Sequence, residues 1–292
     1  MDRFIDLTLN GIANGAIYAA AALSLVLIWR ATRILNFAQA GMLMFTTFIA
    51  WTVIDHGASY WVGFFVALLS GLVLGALVER TIIRRVEGAP PLNAVIVTIG
   101  LLVLLQAAAG MIWGGNPRSF PPAFSIAGYE IGGRTVLFSR FDLFTVLVVG
   151  GVMLAIAALF TRTSLGLRMR AAAFAPEVAR LVGVRVGNVL TVGWALASLA
   201  GSLAGVLVAP SVFVAPNTFD SVLVFGFTAA VIGGLESPLG ALVGGVGLGL
   251  ALSYISGYGG AELVTLGALA ILVAVLMVRP SGLFSRAQAR RV

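Results

Sequence analysis

The sequence predicts an all-α fold: a polytopic transmembrane helix bundle of about eight or nine spans, short or broken helices included. Three observations predict it. The 292 residues are 60% hydrophobic and only 10% charged, whereas a soluble domain carries about 25% charged residues. The apolar residues fall into long uncharged runs, and roughly 20 such residues cross a hydrocarbon core. Glycine is abundant, at 36 residues; it weakens soluble helices but lets membrane helices approach backbone to backbone. A soluble chain of this length could not hide so much apolar surface behind a polar exterior, so lipid is the solvent. The alternation expected of a transmembrane barrel is absent.

The runs place spans at 8–28, 37–54, 60–78, 93–113, 141–160, 187–208, 221–234, 238–256 and 261–278. The segment 221–234 is too short to cross comfortably and reads as a half-helix paired with the next span. The first span lacks a basic leader and a cleavage site, and another span follows almost at once, so it does not read as a signal peptide. Four-residue glycine spacings at Gly11/Gly15, Gly71/Gly75, Gly201/Gly205 and Gly240/Gly244 read as close helix contacts. Residues 1–292 form one transmembrane domain.

Charge sets the orientation. The net charge is +7, carried by arginine without any lysine. Such a basic balance suits nucleic acid, but these arginines sit in short loops between apolar spans, where they orient a membrane protein. Alternate loops divide them unevenly: Arg3, Arg118, Arg134 and Arg140 fall in one set, and the other fourteen in the opposite set. The richer set is read as cytoplasmic, with the N-terminus outside, the C-terminus inside and an odd number of crossings.

Two loops are long enough for structure. The outer loop, 114–140, starts with the turn pairs Asn116-Pro117 and Pro121-Pro122. Its later part, Phe124 to Leu137, reads as a hairpin interrupted by Gly132-Gly133. The inner loop, 162–186, is rich in alanine and arginine, good helix formers, and Pro176 suits the first turn of a helix. A short amphipathic helix or helix pair along the membrane surface is expected there.

Chemistry is sparse. With no cysteine and His56 alone, no thiolate site or histidine metal cluster is available. No phosphate-binding G-x-x-x-x-G-K-[ST] motif exists, so this chain does not hydrolyse ATP. Asp220, Glu236 and Glu262 fall at span ends, and ion-coupled carriers place ionisable groups within the membrane. Uphill transport would therefore take its energy from another subunit. A sodium site of backbone carbonyls stays open. Among uncharged polar residues, Asn36, Gln39, Asn93 and Thr98 are the translocation-pathway candidates. The first three follow cytoplasmic loops where a helix can break, and helix packing accounts for each of them as well. Gly233 and Gly234 before Glu236, with Pro238 after it, mark a tight break or gate between two helices.

Five blocks, in order, resemble one family. They are Asn10-Gly11 through Gly15, Tyr18 and Ala19 with Ile34 to Gly41; Glu79-Arg80 with Thr98-Ile99-Gly100; Gly166 to Ala171 through Ala179 and Gly183; Val231 to Ala241; and Arg279 to Phe284. The chain is similar to the membrane subunits of ABC importers for branched-chain amino acids, the hydrophobic amino acid uptake group. Leu35 and Gln39 stand where that family commonly has isoleucine and histidine, so no histidine role carries over. The resemblance implies half of a translocation pathway. It also implies a second homologous permease subunit, two cytoplasmic ATPase subunits that bind ATP and magnesium, and an external solute-binding protein. The setting would be a bacterial or archaeal cytoplasmic membrane. It makes 170–183 the coupling helix, with Arg170, Ala171, Ala172, Glu177, Ala179, Arg180 and Gly183 at the ATPase. Alternatives are a permease for urea or short amides in the same family, or an ion-coupled secondary transporter or channel.

Overall fold

The computed structural model describes residues 2–86, 89–131, 134–279 and 282–284. The chain runs α1 (Asp2–Thr32), α2 (Gln39–Asp55), α3 (Tyr60–Val78), α4 (Pro91–Trp113), β1 (Gly128–Ile131), β2 (Arg134–Ser139), α5 (Arg140–Arg162), α6 (Ser164–Phe174), α7 (Pro176–Leu181), α8 (Val186–Val208), α9 (Asp220–Gly233), α10 (Pro238–Gly259) and α11 (Leu263–Val278). Each of the nine expected spans is a helix. Among the described residues, six helices are long and apolar enough to cross a membrane: α1, α3 with its extension, α4, α5, α8 and α10. The half-helix expected at 221–234 is α9.

α1 and α8 form the centre. Their apolar windows are 83% and 78% buried, against 22% in α4 and 28% in α5. The peripheral helices therefore present leucine, isoleucine and valine outward (Leu104, Leu147 and Leu154 are more than half exposed), as lipid-facing helices do. Small residues set the spacing at the centre. A Cβ on Gly249 would lie 2.4 Å from the Gly11 carbonyl, and one on Gly75 would lie 2.4 Å from the Trp194 carbonyl. These contacts draw α10 onto α1 and α3 onto α8. The pairs predicted from four-residue spacing are thus real contacts, although each glycine meets another helix and not its sequence partner.

α1 is longer than the sequence suggests. Its 31 residues rise about 46 Å, beyond the ~30 Å hydrocarbon core, and begin at Asp2 instead of 8. Side-chain contacts hold the extra turns. Arg3 donates to the Gly257 carbonyl, Asp6 accepts from the Leu137 backbone N–H at 3.3 Å, and Thr8 shares a hydrogen bond with Tyr254 at 2.7 Å. The hairpin is antiparallel, as expected between Phe124 and Leu137; Gly132-Gly133 lies outside the described residues.

Side-chain and backbone contacts sort the loops into two ends. At one end Arg33, after α1, meets Glu236 between α9 and α10; Arg84, after α3, reaches the Gly187 carbonyl at the start of α8; and Leu283 N–H donates to Ile232 O at 2.8 Å. At the other end lie Arg3, Asp6 and the hairpin, and Arg118 pairs in a bridge with Val214. The arginine-rich loops thus share one end of the bundle.

Candidate coupling and translocation site

The basic end carries a helix pair outside the bundle. α6 is capped by Thr163, whose hydroxyl accepts from Gly166 N–H at 3.1 Å. It stops at Ala175, and Pro176 then starts α7 at its first helical position, where a missing N–H costs nothing. α7 ends in a Schellman motif: Val184 N–H donates to Ala179 O at 2.9 Å and Gly183 N–H to Arg180 O at 3.1 Å. Gly183 occupies the left-handed position with φ 83°. A Cβ there would meet nothing within 4 Å, so this glycine serves the turn and not a close approach.

The coupling candidates divide by face. Ala172 and Ala179 are buried, and Ala171 is half-buried; they seat the pair on the bundle. Arg170, Glu177, Arg180 and Gly183 are exposed, with Arg170 also donating to the Phe160 carbonyl. Sequence reasoning missed the apolar half of this surface. Phe174 is 92% exposed and Leu181 86%, and Val178 and Val182 are exposed beside them. Large apolar side chains exposed on a loop beyond the spans mark an interaction site. The helix pair itself was expected from the sequence; the signal for its apolar face was the helical spacing of Phe174, Val178 and Leu181. A groove of about 460 Å³ lies behind α7, lined by Leu165, Arg168, Gly183 and Asn188 among others.

Next to this pair, α3 does not end cleanly. It widens into a π-helical turn, Glu79–Ile83, the kind of insertion often found at functional sites. The turn aims Glu79, only 1% exposed, at α8. Thr191 donates to its Oε2 at 2.6 Å, and Arg84 donates to both carboxylate oxygens. Arg84 also binds Thr191 Oγ1 and Gly187 O, each at 2.9 Å. One buried carboxylate thus ties α3 to the first turns of α8, directly after the helix pair. The sequence showed Glu79 as part of a motif without a partner.

The pathway candidates do not gather into one site. Asn36 and Gln39 are each 1% exposed. Asn36 accepts from Ala38 N–H at 3.1 Å and donates to Gln39 Oε1 at 3.0 Å, so the pair shapes the break between α1 and α2. Gln39 also reaches the Ala197 carbonyl on α8 at 3.5 Å. Thr98 is buried and donates to Val95 O at 2.9 Å and to Leu35 O at 3.4 Å, beside that break. Asn93 is exposed at the start of α4, off this cluster.

The break at Gly233-Gly234 is built as the sequence suggests. Gly234 has φ 93°, a Cβ on Gly233 would come within 2.0 Å of the Gly240 carbonyl, and Ser237 caps α10 by accepting from Gly240 N–H at 2.9 Å. Glu236 is half exposed and pairs with Arg33. The last family block folds onto the fourth here: Phe284 N–H donates to Gly233 O at 3.2 Å.

One polar pair at mid-bundle went unread. Asp220 opens α9 and accepts from Gln106 Nε2, in α4, at 2.9 Å. Among the described residues, no group of three or more His, Cys, Asp or Glu could hold a metal ion.

These features define a class: a polytopic membrane subunit, with no catalytic constellation of its own among the described residues, that offers an exposed helix pair at one end of its bundle. Residues 7–278 match the family model described as branched-chain amino acid transport system / permease component, and the chain belongs to that family. It is a permease subunit, a multi-pass membrane protein and not an enzyme. Its relatives include the high-affinity branched-chain amino acid transport system permease protein LivH of Escherichia coli K12, 27% identical over 307 residues, covering 99% of this chain and 98% of that protein. BraD of Pseudomonas aeruginosa is 25% identical over 303 residues, covering 99% of this chain and 98% of that one. The probable LivH of Methanocaldococcus jannaschii is 25% identical over 281 residues, covering 90% of this chain and 86% of its own. Among solved structures, PsaBC of Streptococcus pneumoniae in complex with Fab shares the fold, with a TM-score of 0.50 at 14% identity, over 96% of this chain and 91% of that one.

Proposed function

We propose that this chain forms half of the translocation pathway of an ABC importer for leucine, isoleucine and valine. In this reading it pairs with a second homologous permease subunit, docks one of the assembly's two ATPases on its arginine-rich end and receives substrate from an external solute-binding protein. The near full-length kinship with LivH and BraD carries the substrate class. The exposed pair α6–α7, with Phe174 and Leu181 outward, supports ATPase docking. The arginine-rich end is cytoplasmic by the positive-inside rule, which puts Asp2 outside and Arg279 inside, in a bacterial or archaeal cytoplasmic membrane. ATP and magnesium belong to the partner subunits. Urea or a short amide is the second substrate reading, because apart from Glu79, which Arg84 pairs, the buried polar groups among the described residues are uncharged amides and hydroxyls, among them Asn36, Gln39, Thr98 and Ser202.

Proteoliposomes of the assembled complex decide it. Leucine should accumulate only with ATP and the loaded binding protein, and a proton or sodium gradient without ATPase should drive nothing. Gradient-driven accumulation by this chain alone, or urea uptake without leucine uptake, would falsify the assignment.

A further inference from the structure

Asp220 does not lie at the end of a full span. α9 is only 14 residues long, about 20 Å from Gly233 to Asp220, whereas α8 and α10 run about 33 Å. Asp220 therefore stops more than about 10 Å short of the arginine-poor end. Gln106 gives the same depth independently, standing seven residues before Trp113, about 10 Å inside. Membrane carboxylates are expensive and mark substrate or ion paths.

Two neighbours of this carboxylate support its ionised form against the penalty of burial. It sits in the first turn of α9, where the helix N-terminus favours negative charge, and Gln106 donates to it. Among the described residues no cation pairs with it; the ion pairs are Arg33 with Glu236 and Arg84 with Glu79. Asp220 and the following Ser221 are exposed on the bundle surface. An ionised carboxylate facing lipid would be untenable, so in that form this face turns to water, a ligand or the second permease subunit, and the ligand chemistry that suits it is a cation.

We propose that Asp220, oriented by Gln106, is the point in the pathway that receives the α-ammonium group of the amino acid. This rests on the amino-acid reading above. The site would discriminate zwitterionic amino acids from urea and neutral amides, which carry no ammonium. Binding there is weak and transient, since one carboxylate with one amide is far from a closed ammonium cage, and release toward the arginine-rich end demands that.

The chain has no cysteine, so Ser221→Cys gives it a single thiol, beside the carboxylate, and labelling of this chain is read in the assembled complex. Charged methanethiosulfonates react only with wet thiols. The cationic reagent should modify this thiol roughly three- to tenfold faster than the anionic one, as a unit charge at contact range in screened water dictates. Asp220→Asn keeps an acceptor for Gln106 but removes the charge, and should level the two rates. Without the introduced cysteine, Asp220→Asn should cut leucine turnover of the complex at saturating loaded binding protein at least several-fold. Asp220→Glu should restore part of it, and the binding protein's affinity for leucine should not move. No labelling in either the nucleotide-free or the ATP-bound state, a rate preference that survives Asp220→Asn, or normal turnover in Asp220→Asn overturns the proposal. A parent complex that carries no leucine overturns the amino-acid reading instead, and the labelling ratio still reports whether a charged, wet site exists.

Discussion

Glu79 accepts two hydrogen bonds from Arg84, at 3.1 and 2.9 Å, from a position that is only 1% exposed. The partners are five residues apart, a spacing that an ordinary helix does not bring together; the π-helical turn between them does. The arginine side chain is 38% exposed, so water tolerates it better than it tolerates the carboxylate. Removing each partner should therefore be unequal. Arg84→Ala strands a buried charge and should cost about 3–5 kcal/mol. Glu79→Gln keeps the shape and leaves a partly hydrated arginine, and should cost about 1–3 kcal/mol. Thermal unfolding of the purified subunit in detergent would show this order; a larger loss for Glu79→Gln would mean that the arginine is the buried partner.

Backbone approach sets a second test. Gly249→Ala puts a Cβ 2.4 Å from the Gly11 carbonyl and the Gly15 Cα, and rigid helices cannot yield cheaply there. Gly247→Ala, two residues earlier, meets nothing within 4 Å. The first should destabilise the α1–α10 contact by about 1–3 kcal/mol, and the second should be neutral or slightly stabilising, because alanine is the better helix former. Melting temperatures of the two variants check it, and equal effects would contradict the packing.

What the sequence revealed follows from the range of each signal. Nine apolar runs and the arginine asymmetry are local counts, and they mapped onto nine helices and a common basic end. The short run at 221–234 was legible as a half-helix because length alone decides that. Long-range pairings were not legible. Nothing near Asp220 announces Gln106, 114 residues away, and nothing near Glu79 announces Thr191 on α8. Charge also drew attention away from packing. The loop 162–186 was legible as a helix pair, but its candidate contacts leave out its most exposed large apolar side chains, Phe174 and Leu181. Asn36 and Gln39, pathway candidates beside a loop where a helix can break, do meet at that break, where Asn36 donates to Gln39 and accepts from Ala38 N–H.

The break between α9 and α10 separates shape from charge. Glu236 and Arg33 are both about half exposed, and such a pair contributes roughly 0–1 kcal/mol. Gly233 has no room for a methyl group, because a Cβ there would lie 2.0 Å from the Gly240 carbonyl oxygen. Glu236→Ala should thus leave the subunit as stable as the parent to within about 1 kcal/mol. Gly233→Ala should lower its yield and its melting temperature through an overpacking strain of about 1–3 kcal/mol or more. Fluorescence-detected size exclusion of both variants resolves them. A fragile Glu236→Ala variant would give the ion pair a structural weight that its exposure denies.

The helix pair α6–α7 allows the sharpest separation of folding from coupling. Gly183→Ala strains a left-handed turn by about 1 kcal/mol but collides with nothing, since a Cβ there finds open space. The turn it closes is the Schellman end of α7, so this variant should loosen α7 only slightly and leave ATPase association within a few-fold of the parent. Phe174 and Leu181 are different. At 92% and 86% exposed they contribute almost nothing to the subunit's own stability, so Phe174→Ser and Leu181→Ser should leave its melting temperature unchanged. If they are the apolar centre of an ATPase interface, burying each is worth about 1.5–3 kcal/mol, and the double variant should weaken association by at least about tenfold. Co-purification with the ATPase gives the affinity. The ratio of leucine moved to ATP hydrolysed, measured in whatever complex still forms, separates docking from coupling. Ala172→Ser and Ala179→Ser, on the buried side of the pair itself, report the opposite case, with lowered stability and no specific interface loss. A Phe174→Ser, Leu181→Ser variant that still binds the ATPase at parental affinity would remove the apolar face from the interface and leave docking to Arg170, Glu177 and Arg180.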